Sequence, residues 1–185
     1  MSETSSTRLR KAMRERQLVR FRSRFQGHES HGYVQAVGTR FFLLALVSDR
    51  IRLDGYECFR IDDIRALRQD PYAAFMEAAL KKRGEKLGRA PHIDVSDIGK
   101  LLRSAAKAFP LVTIHIEMIA PEVCYIGRVG DVGGWSFSLR AIRPDGSWES
   151  DYTPYRLSSI TRVDFGADYE DALYLVGGEP ESHRQ

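Results

Sequence analysis

The 185 residues are 43% hydrophobic and 29% charged, the balance of a folded globular chain rather than a disordered one. A formal net charge of +3 identifies no partner, and no apolar run approaches the ~20 residues of a membrane span. The opening MSETSSTRLRKAM lacks the apolar stretch of a signal peptide. Cys58 and Cys124 sit in apolar strand patterns with no paired spacing, which predicts buried free thiols, a cytoplasmic location and no membrane association.

Met1 to Ser6 is polar and expected to be frayed. Thr7 can cap a helix over 8–17 whose apolar positions are Leu9, Ala12 and Met13. The rest of that helix is basic, with Arg8, Arg10, Lys11, Arg14 and Arg16 against Glu15. LVRFRSRF then alternates, Val19, Phe21, Ser23 and Phe25 on one face and Arg20, Arg22 and Arg24 on the other. QGHESH is a turn. Strands are predicted over 32–37 and 39–47 about a bend at Gly38, and over 56–61 and 64–67 about the polar break Asp62-Asp63. Asp70-Pro71 opens a helix with the stripe Tyr72, Phe75, Met76, Ala79 and Leu80. KKRGEKLGRAPH then trades hydrophobicity for Gly, Pro and charge. It places a linker at 85–94 between a first unit at 1–84 and a second at 95–185.

Ser96 is expected to cap a helix over 97–109 that buries Ile98, Leu101, Leu102, Ala105 and Phe109. LVTIHIEM repeats the alternation, with Val112, Ile114, Ile116 and Met118 inward. Its outward residues are Thr113, His115 and Glu117 where the first unit has arginines. Strands over 123–129, 135–142, 148–157 and 160–164 follow, broken by GDVGG and by Pro144-Asp145-Gly146-Ser147. A short helix over 168–175 precedes the tail GGEPESHRQ, expected to be disordered.

The two units echo each other. Phe59, Arg60, Ile61, Ile64 and Leu67 answer Tyr155, Arg156, Leu157, Ile160 and Val163 at one constant offset, and Tyr72 answers Tyr169. Short antiparallel strands at this spacing argue for small barrels, because closure removes exposed edges. The fold expected is mainly β with flanking helices (α+β): two tandem five-stranded antiparallel barrels, each with a leading helix and a short trailing helix. This unit resembles the SH3-like small barrel, and its leading helix resembles the Sm-like version. SSITRVDFGADYEDAL, Ser158 to Leu173, is also similar to segments of uncharacterised bacterial proteins. The Sm-like resemblance implies RNA binding through two loop motifs. The acidic or amide residue of the first has no match here, and Asp62-Asp63 and Ser158-Ser159 stand where the second would carry Arg-Gly or Lys-Gly.

No P-loop, GxSxG or GxGxxG is present, and GDVGG lacks the strand-to-helix context of a phosphate loop. No catalytic residue or cofactor is therefore expected, and the chain is read as non-enzymatic. His28 and His31 flank Glu29, but no further ligands of matching type lie nearby, so no metal is expected. The feature above background is the basic set Arg8, Arg10, Lys11, Arg14, Arg16, Arg20, Arg22 and Arg24. The strand arginines recur at about 6.6 Å, near the ~7 Å spacing of phosphates along one nucleic-acid strand. Interleaved exposed aromatics that would stack bases are missing. The function expected is a protein-interaction or scaffold module whose partner is a protein or a second copy; the alternative is RNA binding through the basic face of the first unit.

Overall fold

The structure, a computed structural model, describes residues 4–180; of the ends expected to be frayed (1–6) and disordered (177–185), 1–3 and 181–185 lie outside the described residues, while Ser5 and Ser6 are helical and Gly177 ends the last helix. The first helix, α1 (Ser5–Arg14), starts earlier than the sequence suggests, because Thr4 and not Thr7 accepts the capping bond, from the Thr7 amide. Five strands follow: β1 (Leu18–Ser23), β2 (Glu29–Val37), β3 (Phe41–Val47), β4 (Leu53–Arg60) and β5 (Ile64–Gln69). The polar break at Asp62-Asp63 is one 3-10 turn between β4 and β5. Helices α2 (Ala73–Lys82) and α3 (Ile98–Ala108) lead to β6 (Val112–His115), β7 (Cys124–Val132), β8 (Ser136–Ala141), β9 (Thr153–Arg156) and β10 (Arg162–Phe165). Helix α4 (Asp168–Gly177) comes last.

Two separate SH3-like or Sm-like barrels, each with its own leading helix, are not what these strands build. They form one open antiparallel sheet of ten strands in the order β5-β1-β2-β3-β4-β10-β6-β7-β8-β9. The sequence echo survives in that order, since β5-β1-β2-β3-β4 and β10-β6-β7-β8-β9 run alike. Closure fails for a specific reason. The outer edge of β4 is satisfied by the other half: β10 pairs with it through Phe59–Arg162, Cys58–Val163, Glu57–Asp164 and Tyr56–Phe165, while its second edge pairs with β6. Arg60 adds a guanidinium bond to the Ser158 carbonyl at 2.8 Å across the same joint.

The apolar residues pool accordingly. The largest core joins Phe41, Leu43 and Cys58 of the first half to Ile114, Phe137, Leu139, Val163 and Phe165 of the second, beneath Leu101, Leu102 and Ala105 of α3. Ile93 and Val95, at the edge of the predicted linker, are buried in it too. The run FFLLALV of β3 is buried on both faces, with Phe42 and Leu44 turned to a second core under Leu9 and Ala12 of α1. On the opposite face Leu18, Tyr33 and Ala45 pack against Ala73, Met76 and Leu80 of α2. Helices α1 and α2 therefore cover opposite faces of the same strands. Where β4 meets the start of α4 the backbones touch: Gly55 holds φ +71, and a Cβ there would come within 2.5 Å of the Ala167 amide.

Several burial expectations change: Tyr72 and Phe75, placed on the apolar stripe of the helix after Asp70-Pro71, are exposed, and Thr113 and Glu117, assigned outward, are buried. Met118, read as inward, is 64% exposed because β6 ends at His115 and the chain turns away. Cys124, read as a buried thiol, is exposed, whereas Cys58 is buried. No helix among the described residues is long and apolar enough to cross a membrane.

Candidate binding face

The sheet divides the basic set in two. Arg8, Arg10, Lys11, Arg14 and Arg16 belong to the α1 side. There the Arg8 guanidinium donates to the Leu67 carbonyl and Arg10 donates to the Gly38 carbonyl at 3.3 Å. Alternation sends Arg20 and Arg22 to the other face, the one that carries α2. Arg24 stands just beyond β1, its guanidinium 5.5 Å from the centre of the Phe25 ring.

On the α2 face the arginines of β1 meet two more from β5. Arg20 lies opposite Arg68 and Arg22 opposite Arg65. Residues 65 and 68 are an odd number apart and would point to opposite faces of a regular strand. A bulge between the two rungs absorbs one residue, and Ala66 takes φ 53 there. The irregularity is what puts both arginines on the same side. Glu29 of β2 stands among them: its carboxylate is 3.1 Å from Arg20 Nε, 3.7 Å from Arg22 Nε and 3.0 Å from Arg68 Nη2. Arg65 instead donates to the Asp62 and Ile64 carbonyls, both at 2.8 Å. Arg22 and Arg68 keep 60% and 46% of their side chains exposed. The cluster gathers several guanidiniums around one carboxylate, with Arg68 donating to it at 3.0 Å, and guanidinium forks receive oxyanions in bidentate fashion.

His31 sits next along β2, directly opposite Arg20. Its Nδ1 lies 2.5 Å from Asp70 Oδ2, and the other Asp70 oxygen accepts the Tyr72 amide at 2.7 Å just before α2. The His28–Glu29–His31 triplet is thereby spent, with Glu29 on arginines and His31 on Asp70. No group of three or more His, Cys, Asp or Glu suited to a metal ion occurs among the described residues.

A second polar cluster was not visible as such in the sequence. Across the β4–β10–β6 joint, Glu57, Asp164, Arg162, Thr113 and His115 share one face, on the side of α1. His115 Nε2 lies 2.7 Å from Asp164 Oδ2, and Arg162 Nη2 lies 2.9 Å from the same ring nitrogen and 3.1 Å from Nδ1. Thr113 donates to Glu170 of α4 at 2.5 Å. Burial, reinforced by the neighbouring Asp164 and opposed by Arg162, pushes the Glu57 carboxyl up to about 8. Cys124 lies opposite His115 in the ladder; although the residue is exposed, partial desolvation of its sulfur and the Asp164 charge raise the thiol. Polar residues at period two in YECFR, TIHIE and TRVDF were the signal. Pattern alone, however, does not say what covers the face these residues share.

No known protein family, curated protein or solved structure matches this chain.

Proposed function

We propose that the chain is a cytoplasmic, non-enzymatic protein-interaction module that receives an acidic segment of a partner protein on the arginine face of β1 and β5. The observation that carries this reading is the pair of successive Arg–Arg rungs, Arg20–Arg68 and Arg22–Arg65. Like charges directly opposite each other destabilise a ladder, and a non-glycine residue at positive φ adds strain at Ala66. The face is kept at a cost in stability, which supports a use for it. The central Glu29 favours a protein ligand over nucleic acid, because a fixed carboxylate repels a continuous run of phosphates yet tolerates individual side chains placed around it. The free, exposed Cys124 suits a reducing compartment. The packing of His115 between Asp164 and Arg162, all little exposed, supports a structural role for the buried cluster.

The test is a titration of a labelled short peptide of alternating Glu and Ser, with labelled single-stranded RNA in parallel, at several salt concentrations. Wild type is expected to bind the peptide more tightly than the RNA. Arg22→Ala/Arg68→Ala should weaken the peptide about tenfold or more, since hydrogen bonds to charged groups contribute ~1.5–3 kcal/mol each. Absence of peptide binding at low salt contradicts the proposal. Tighter RNA binding, with a salt slope of about −0.7 per phosphate contact, would hand the face to nucleic acid.

A further inference from the structure

Beside the arginine face the same side of the sheet carries a mainly apolar cleft of about 280 Å³, lined by Ile51, Tyr72, Phe75 and Met76 together with His31 and Asp49. Tyr72 and Phe75 are 64% and 66% exposed although they flank the buried stripe of α2. Large aromatics left open around an apolar hollow are the usual anchors of a protein contact. Ile51 adds a second sign: it holds φ 54, a conformation that a β-branched side chain rarely adopts. His31 is the link, because it lines the cleft and lies opposite Arg20. From Glu29, at the centre of the arginines, to His31 is two residues along β2, roughly 7 Å, the distance an extended ligand covers in the same number of residues.

Resting on the reading of the arginine face given above, we infer that the acidic segment also carries a large apolar side chain, two to four residues from its carboxylates, and seats it in this cleft. Charge sets the direction. The carboxylates of the ligand lie over Arg20, Arg22 and Arg68, and Asp49 in the cleft lining keeps a further carboxylate out while leaving an apolar group unopposed.

Two labelled peptides test the inference, the alternating Glu–Ser sequence and the same sequence with one central Ser replaced by Phe. Wild type should bind the Phe peptide about tenfold more tightly, as burial of one large apolar side chain predicts. Phe75→Ala and Tyr72→Ala should each bring the ratio of the two affinities toward one, while Arg22→Ala/Arg68→Ala should weaken both peptides and preserve the ratio. Equal binding of the two peptides to wild type overturns the anchor and leaves the acidic-partner reading standing. Failure of both to bind overturns both. A wild-type dimer in sedimentation that Phe75→Ala dissociates would assign the cleft to a second copy of the chain and overturn the inference in that direction.

Discussion

Glu57 shows how a single carboxyl answers to its surroundings. It faces Asp164 and Arg162 of β10, with Asp54 and Glu170 also acting on it. Burial is the largest cause of its raised value and the Asp164 charge the next. A carboxyl that holds its proton more tightly folded than unfolded gives its full stabilisation below the ordinary carboxyl range and loses it as pH climbs toward about 8. Thermal unfolding followed from about pH 5 to about pH 9 should therefore show wild-type Tm falling across that window. Glu57→Gln, which keeps the shape without the charge, should fall less and be the more stable form at the alkaline end; parallel curves would contradict this. Thr113 and Glu117 teach the complementary lesson. Both are polar positions of an alternating strand that the sequence assigns outward, and both are buried, at 4% and 7% exposure. Alternation tells which residues share a face, while the cover over that face comes from α4 and from loops far away in the chain.

Strand β5 decides the site at the scale of an element. The sequence legibly shows a closing strand from Ile64 to Leu67, and both are buried in the same core, which the odd separation allows only because the strand is bulged. The sequence does not show the bulge. Arg65 and Arg68 looked unrelated to the row at Arg20 and Arg22, because an odd separation normally means opposite faces. No Gly or Asn marks the irregularity; an alanine takes the left-handed conformation instead. The prediction here has an unusual sign. In a regular exposed strand a change from Ala to Val is favourable, since β-branched residues fit a pleated surface. At φ 53 the same change crowds the backbone, so Ala66→Val should cost about 1–2 kcal/mol in chemical denaturation and weaken the acidic peptide with it. A stabilised variant would mean that the bulge is not held.

For the whole molecule, the helices, most strands and the internal echo could be read from residue patterns, because each depends on neighbours in the chain. Which edge pairs with which could not. Cys58 and Val163 alternate as well in two closed units as in one sheet, and only the β4–β10 ladder distinguishes the two. That ladder makes one framework of ten strands, with α1 and its arginines on one side and α2, the bulge and the cleft on the other. The second side is where a partner segment is proposed to bind. The most direct measurement is a map of amide chemical shifts on the full chain as the Phe-bearing acidic peptide is added. The largest perturbations are expected at Arg20, Arg22, His31, Arg68 and Phe75, a continuous track over β1, β2, β5 and α2. Perturbations confined to Arg8 through Arg16 of the α1 side, or to the buried joint around Glu57 and His115, would contradict that placement.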